Sequence, residues 1–139
     1  MRQNTAMTTA MTRKQREILE REELILHTAR RMLLEKGYLG LTMDRIADEI
    51  EYSKGTVYHH FRSKEDLIVA LAEQSHKQRT SLFQRAAAFP GLSRERCLAV
   101  GVAQTLLVTL YPDTVQAEII IKLASVQEKA AAERLTAIY

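Results

Sequence analysis

Two adjoining stretches decide how this chain folds: Thr42-Met43-Asp44-Arg45-Ile46-Ala47-Asp48-Glu49-Ile50 and, after Glu51-Tyr52, Ser53-Lys54-Gly55-Thr56-Val57-Tyr58-His59-His60-Phe61. Thr42 is a good N-cap, because its hydroxyl can accept one of the amide protons that a first helical turn leaves unpaired. The acids behind it complement the positive end of the helix dipole. Ile46, Ala47 and Ile50 give this first helix one apolar side. Ser53 caps a second short helix in which Val57 and Phe61, four residues apart, face the same way. Ala47 is small where the two helices cross, and Ile46, Ile50, Val57 and Phe61 form their shared core. The second helix carries no acid to repel phosphate and offers hydrogen-bond donors of several kinds.

Working outward, the chain reads as helix from about Arg13, with Ile25, Ala29, Met32 and Leu33 on one face at helical spacing. Gly37 is the expected stop, since glycine accepts the left-handed cap conformation without a Cβ penalty. Downstream, Ser63-Lys64-Glu65-Asp66 opens like a capping box with Asp in place of Glu. The long helix that follows runs to about Ala88, with Leu67, Ile68, Leu71, Ser75, Gln78 and Leu82 on one stripe. At a rise of 1.5 Å per residue it spans about 40 Å. Phe89-Pro90-Gly91 ends it, a fifth helix runs from near Ser93 to about Leu110, and Tyr111-Pro112-Asp113 breaks that one. The last helix is expected to bury Val115, Ile119, Leu123, Val126 and Ala130. No strand pattern and no internal repeat is visible.

The fold class is therefore all-α: a three-helix helix-turn-helix head joined by a long helix to a short helical body. Residues 1–12 lack a hydrophobic period and read as a disordered tail, 13–66 as the head, and 67–139 as the body. Composition agrees, because only 5 Gly and 2 Pro in 139 residues leave room for long helices. The lone Cys97 cannot form an internal disulfide, which fits a reducing compartment. It lies on an apolar stripe and reads as a buried structural thiol, with a redox sensor as the lesser alternative. No apolar run approaches the roughly 18–20 residues that span a bilayer, and the polar N-terminus has no secretory h-region, so a cytoplasmic protein without membrane contact is expected.

The net charge of +3 is concentrated in two places. Residues 1–16 carry Arg2, Arg13, Lys14 and Arg16 with no acid, and residues 52–64 carry Lys54, Arg62 and Lys64 with no acid. The segment between them is net acidic and the rest is balanced. Two short basic patches suit a small nucleic-acid footprint. The first patch is either a solvated tail or an arm touching DNA backbone or minor groove. Adjacent His59 and His60 point about 100° apart on a helix, with no Cys or acid at ligand spacing, so no metal is expected. No nucleophile–base spacing, phosphate-cradling Gly loop or paired-carboxylate site is present, so neither an enzyme nor a cofactor is expected.

Leu41-Thr42-Met43-Asp44-Arg45-Ile46-Ala47 followed by Ser53-Lys54-Gly55-Thr56-Val57-Tyr58-His59-His60-Phe61-Arg62-Ser63-Lys64-Glu65-Asp66-Leu67 closely resembles the DNA-binding signature of the tetracycline-repressor (TetR) family. The upstream Ala29-Arg30 and Lys36-Gly37-Tyr38 fit the same pattern, and the resemblance covers roughly residues 20–72. One departure is Glu51-Tyr52, where the family commonly has Gly-Val; a positive φ at residue 51 costs a non-Gly residue about 1 kcal/mol.

The resemblance implies DNA contacts from Thr42, Met43, Ser53, Lys54, Gly55, Thr56, Tyr58, His59, His60 and Lys64. Thr42, Tyr58 and Lys64 would meet phosphate, Lys54, Gly55 and Thr56 would approach bases and backbone, and His60 would meet phosphate or a base edge. It also implies a homodimeric, ligand-responsive repressor on a palindromic double-stranded DNA operator. An effector pocket would draw on Leu82, Phe83, Phe89, Leu106, Tyr111 and Ile120, a set that a helical core equally requires. Only about two helices follow Pro90: either the chain is a piece of a longer protein, or it pairs through the helices it has. The alternative function is a helical partner-binding or structural module that has lost DNA binding.

Overall fold

The computed structural model describes residues 12–127. Arg2 and Ala130 lie outside the described residues, as does the side chain of Val126. Six helices follow one another: α1 (Arg13–Gly40), α2 (Met43–Glu49), α3 (Lys54–His60), α4 (Lys64–Ala87), α5 (Ser93–Leu110) and α6 (Pro112–Gln127). Among the described residues there is no strand, and the fold is all-α.

Caps explain most of the boundaries. Thr12 opens α1 with a reciprocal capping box: its hydroxyl accepts from the Gln15 amide at 3.2 Å, and its own amide donates to Gln15 Oε1 at 2.8 Å. Thr42, Ser53 and Ser63 cap α2, α3 and α4, accepting from the amides of Arg45, Thr56 and Asp66. Gly37, with φ 70° and ψ 179°, interrupts α1 as expected, but the chain resumes one short turn to Gly40 before Leu41 turns inward. A Cβ at Gly37 would meet nothing within 4 Å, so glycine is required there by torsion and not by space. Pro112 begins α6 directly after Tyr111, at a position where a missing amide proton costs nothing.

The turn between α2 and α3 closes as a Schellman motif. The Glu51 amide donates to Asp48 O and the Tyr52 amide to Ala47 O at 3.0 Å, with Glu51 at φ 57°. The left-handed position foreseen for residue 51 is thus occupied by glutamate. Tyr52 then folds back against the core.

The core starts at Ile25, Ala29, Met32 and Leu33 of α1. It gathers Leu41, Met43, Ile46 and Ala47, then Val57 and Phe61, then Leu67, Ile68, Leu71 and Ala72 of α4. It continues into α6 through Ala117 and Ile121. Around this apolar centre runs a polar seam. Arg30 of α1 donates to Gln74 of α4, and Thr114 of α6 reaches Gln78 at 3.4 Å. Burial depresses the pKa of Arg30, and the nearby Asp113 carboxylate partly offsets this. Glu118 of α6, buried to 3% exposure, pairs with Arg79 of α4 and lies 3.0 Å from Lys122. Arg31 ties α1 to Glu49 of α2.

Two expectations about the body are corrected. The face that α6 buries consists of Thr114, Ala117, Glu118, Ile121 and Ala124, whereas Ile119 and Leu123 are exposed and Val115 is only partly covered. Apolar residues surround α6, so their spacing does not set its phase; the Arg79 guanidinium and the close packing of Ala117 do. Cys97 is exposed, because α5 buries only Ala103 and Leu107 and turns its first turns to solvent. On the long α4 stripe, Gln78 is exposed and Leu82 half-buried, while Leu67 to Ser75 are buried as expected. No single described helix is long and apolar enough to cross a membrane; α5 and α6 are so only together, and they bend by 91° at their junction.

Two stability measurements follow. Glu51→Gly raises unfolding stability by about 0.5–1 kcal/mol and Glu51→Val lowers it by about 1 kcal/mol, because only the side chain opposes the left-handed backbone. A shift of the denaturant midpoint in the reverse order would contradict the strain. Arg79→Leu alone costs about 2–3 kcal/mol by leaving the buried Glu118 carboxylate with the exposed Lys122 in place of its cross-helix guanidinium, and adding Glu118→Leu restores most of it. A double variant as unstable as the single would show that the pair is not what holds α6.

Candidate nucleic-acid interface

The site is built on α3. Val57 is fully buried and Phe61 nearly so, which turns the opposite edge of this two-turn helix outward. Ser53, Lys54, Gly55, Tyr58 and His59 are exposed along that edge, Thr56 is half-buried beside them, and Thr42 stands exposed at the start of α2. Seven of the ten expected contact residues therefore share one accessible surface.

Their local bonds are specific. Ser53 Oγ accepts from the Thr56 amide at 3.1 Å and lies 2.8 Å from Thr56 Oγ1, so one hydroxyl pair both caps α3 and orients Thr56. Lys54 Nζ donates to Asp44 Oδ2 at 2.6 Å, bridging the starts of α3 and α2, and that carboxylate raises the lysine pKa above its ordinary value. The ammonium is charged at neutral pH and stays on the surface. Gly55 has no steric reason to be glycine within the fold: an added Cβ would come no closer than 3.8 Å to Ser53 Oγ. What its absence leaves open is the outward side.

Three expected residues sit elsewhere. Met43 is 5% exposed and belongs to the core, because capping by Thr42 places the next residue under α2. The His60 side chain is 4% exposed and turns toward α1, its Nδ1 3.3 Å from Glu22 Oε1. It is the end of α3 that packs on α1, and the 100° step from His59 sends His60 inward. Lys64 Nζ donates to the Tyr38 carbonyl at 2.6 Å and lies 3.8 Å above the Tyr38 ring, so it fastens the start of α4 to the end of α1.

The partners Asp44, Glu22 and Tyr38 are 10, 38 and 26 residues away from the side chains they hold, beyond any local spacing signal. Arg62, counted in the basic patch but not assigned a contact, is exposed in the turn after α3.

No group of three or more His, Cys, Asp or Glu among the described residues could hold a metal ion. The six residues considered for an effector do not converge. Leu82, Phe89 and Leu106 line a shallow groove of about 530 Å³ between α4 and α5, together with Leu98 and Val102 and with Arg85 and Glu95. Phe83 is half-buried outside that lining, Tyr111 is 40% exposed at the α5–α6 junction, and Ile120 packs on the head core.

Comparison with known proteins matches residues 25–71 to the family of bacterial regulatory proteins described as the tetR family. The chain is 41% identical over 58 residues to the HTH-type transcriptional repressor AcnR of Corynebacterium diphtheriae, which covers 42% of this chain and 30% of that protein. It is 35% identical over 81 residues to the HTH-type transcriptional repressor NemR of Escherichia coli, covering 55% of this chain and 39% of that one. The chain thus matches between 30% and 39% of the length of these relatives. The matched stretch, the second half of α1, the helix-turn-helix and the start of α4, is similar to the DNA-binding region of the tetR family of bacterial regulatory proteins.

Proposed function

We propose that this chain is a sequence-specific DNA-binding transcriptional regulator, a repressor that lays α3 in the major groove. The observation that carries this reading is the exposed, acid-free edge of α3, backed by a fully buried Val57 and holding a glycine that the fold itself does not need. A recognition helix must bring backbone and short side chains close to base edges and phosphates, and Gly55 removes the one Cβ that would stand in the way. Tyr58 and Thr42 offer hydroxyls to phosphate, and His59 adds a ring nitrogen. Lys54 exchanges an exposed carboxylate partner for phosphate at little cost, since a surface ion pair is worth about 0–1 kcal/mol.

The chain acts as a homodimer on a palindromic operator, whose half-sites would lie about 34–36 Å apart, one helical turn. The relatives named as repressors support the sign of regulation. A small-molecule effector would sit in the groove lined by Leu82, Phe89 and Leu106 and alter the spacing of paired heads. A structural module without DNA contact would have no use for an acid-free α3 edge.

Fluorescence anisotropy on duplex DNA from upstream of its own gene tests this. Tyr58→Phe weakens binding about fivefold for each phosphate hydrogen bond deleted, one per protomer, and Lys54→Ala lowers the slope of log affinity against log salt by about 1.8 for the dimer. Unchanged affinity and slope in both variants would exclude α3 as the contact helix. His60→Ala separates packing from contact: it lowers unfolding stability by about 1–2 kcal/mol and leaves the salt slope where it was. A reduced slope in His60→Ala, with stability unchanged, would instead place that ring on DNA.

A further inference from the structure

We infer that the first turn of α1 is a second DNA contact, in which Arg13, Lys14 and Arg16 bind backbone phosphates flanking the groove that α3 occupies. The inference rests on the DNA-binding reading above and extends the footprint beyond the helix-turn-helix.

The first residue that α1 buries is Ile25, so residues 13–24 form three turns of helix outside the head core. This arm is about 18 Å long. It is an ordered element: the Thr12–Gln15 box caps it. Its tip carries three exposed cations and no acid. Local helix energetics do not account for them, because cations at a helix N-terminus oppose the dipole by roughly 0.3–1 kcal/mol each. Arg13 does reach Glu17 at 2.9 Å, but both side chains are exposed, at 89% and 44%, and such a pair contributes at most about 0.5 kcal/mol. By contrast α2, α4, α5 and α6 each place an acid in the first turn, and α3, the proposed contact helix, shares with α1 the acid-free pattern.

Position supplies the second argument. Glu22 of α1 touches His60 at the end of α3, so the arm emerges beside the recognition helix. From Glu22 to the cations is six to nine residues, or about 9–14 Å along the helix. That reach matches the roughly 12 Å width of the major groove, and it carries the tip from α3 to the neighbouring phosphates. Glu17, Glu20, Glu22 and Glu23 make the base of the arm acidic, which confines DNA contact to the tip. The cations also lie outside residues 25–71, which match the tetR family.

The test compares the full 139-residue chain with Arg13→Gln/Lys14→Gln/Arg16→Gln on two duplexes, one of random sequence and one from upstream of its own gene. Each protomer loses three phosphate contacts, so for a bound dimer the salt slope falls by about 5.4, and between 50 and 200 mM salt the wild type loses on the order of 1,000-fold more affinity than the variant. The ratio of affinities for the two duplexes stays the same, since the tip reads no bases. Arg13→Lys/Arg16→Lys keeps the wild-type slope, and circular dichroism on all three proteins reports whether the arm has remained helical. A wild-type slope in a helical triple variant that still binds DNA overturns this inference alone. Failure of the wild type to bind either duplex overturns the DNA-binding reading, and this one with it.

Discussion

The left-handed backbone at Glu51 sets the angle between α2 and α3, and the head depends on that angle. With φ at 57°, the chain reverses within two residues and the Tyr52 amide closes on Ala47. Val57 and Phe61 then join Ile46 and Ala47 in the buried core, while the far edge of α3 faces outward. A straighter exit would pull Val57 off the core, and a tighter one would force α3 into α2. The strain of a non-glycine residue is of order 1 kcal/mol, small beside the apolar area that this geometry buries.

What could be read from the residues was whatever local chemistry decides. The caps at Thr42, Ser53 and Ser63, the interruption at Gly37 and the break before Pro112 each follow from one side chain or one torsion. The head core was equally legible, since Ile25, Ala29, Met32 and Leu33 leave little freedom in which face to bury. The face of α6 was not, because Val115, Ile119, Ile120, Ile121 and Leu123 surround the helix and only its neighbours choose among them. The exposure of Cys97 was hidden for the same reason: an apolar stripe on α5 says what could be covered, not what is.

Within the site, the same division holds. Ser53, Lys54, Gly55, Tyr58 and His59 follow from the phase of a short helix once Val57 is placed inside. Met43, His60 and Lys64 escaped because each is held by a group brought near only by the fold: the core, Glu22 and the Tyr38 carbonyl. A family pattern marks positions, and packing determines which of those side chains point outward.

The long helix α4 looks like a natural place to divide such a protein, yet Ala117 and Ile121 of α6 sit in the same core as Ile25 and Leu71. A chimera that joins this helix-turn-helix to another body at the middle of α4 would lose both side chains and open an apolar slot in the head. It would also strand Arg79, whose carboxylate partner comes from α6. A working graft would need the junction moved past α6, or a replacement body whose own helix brings a small residue, a branched aliphatic and an acid to the same three places.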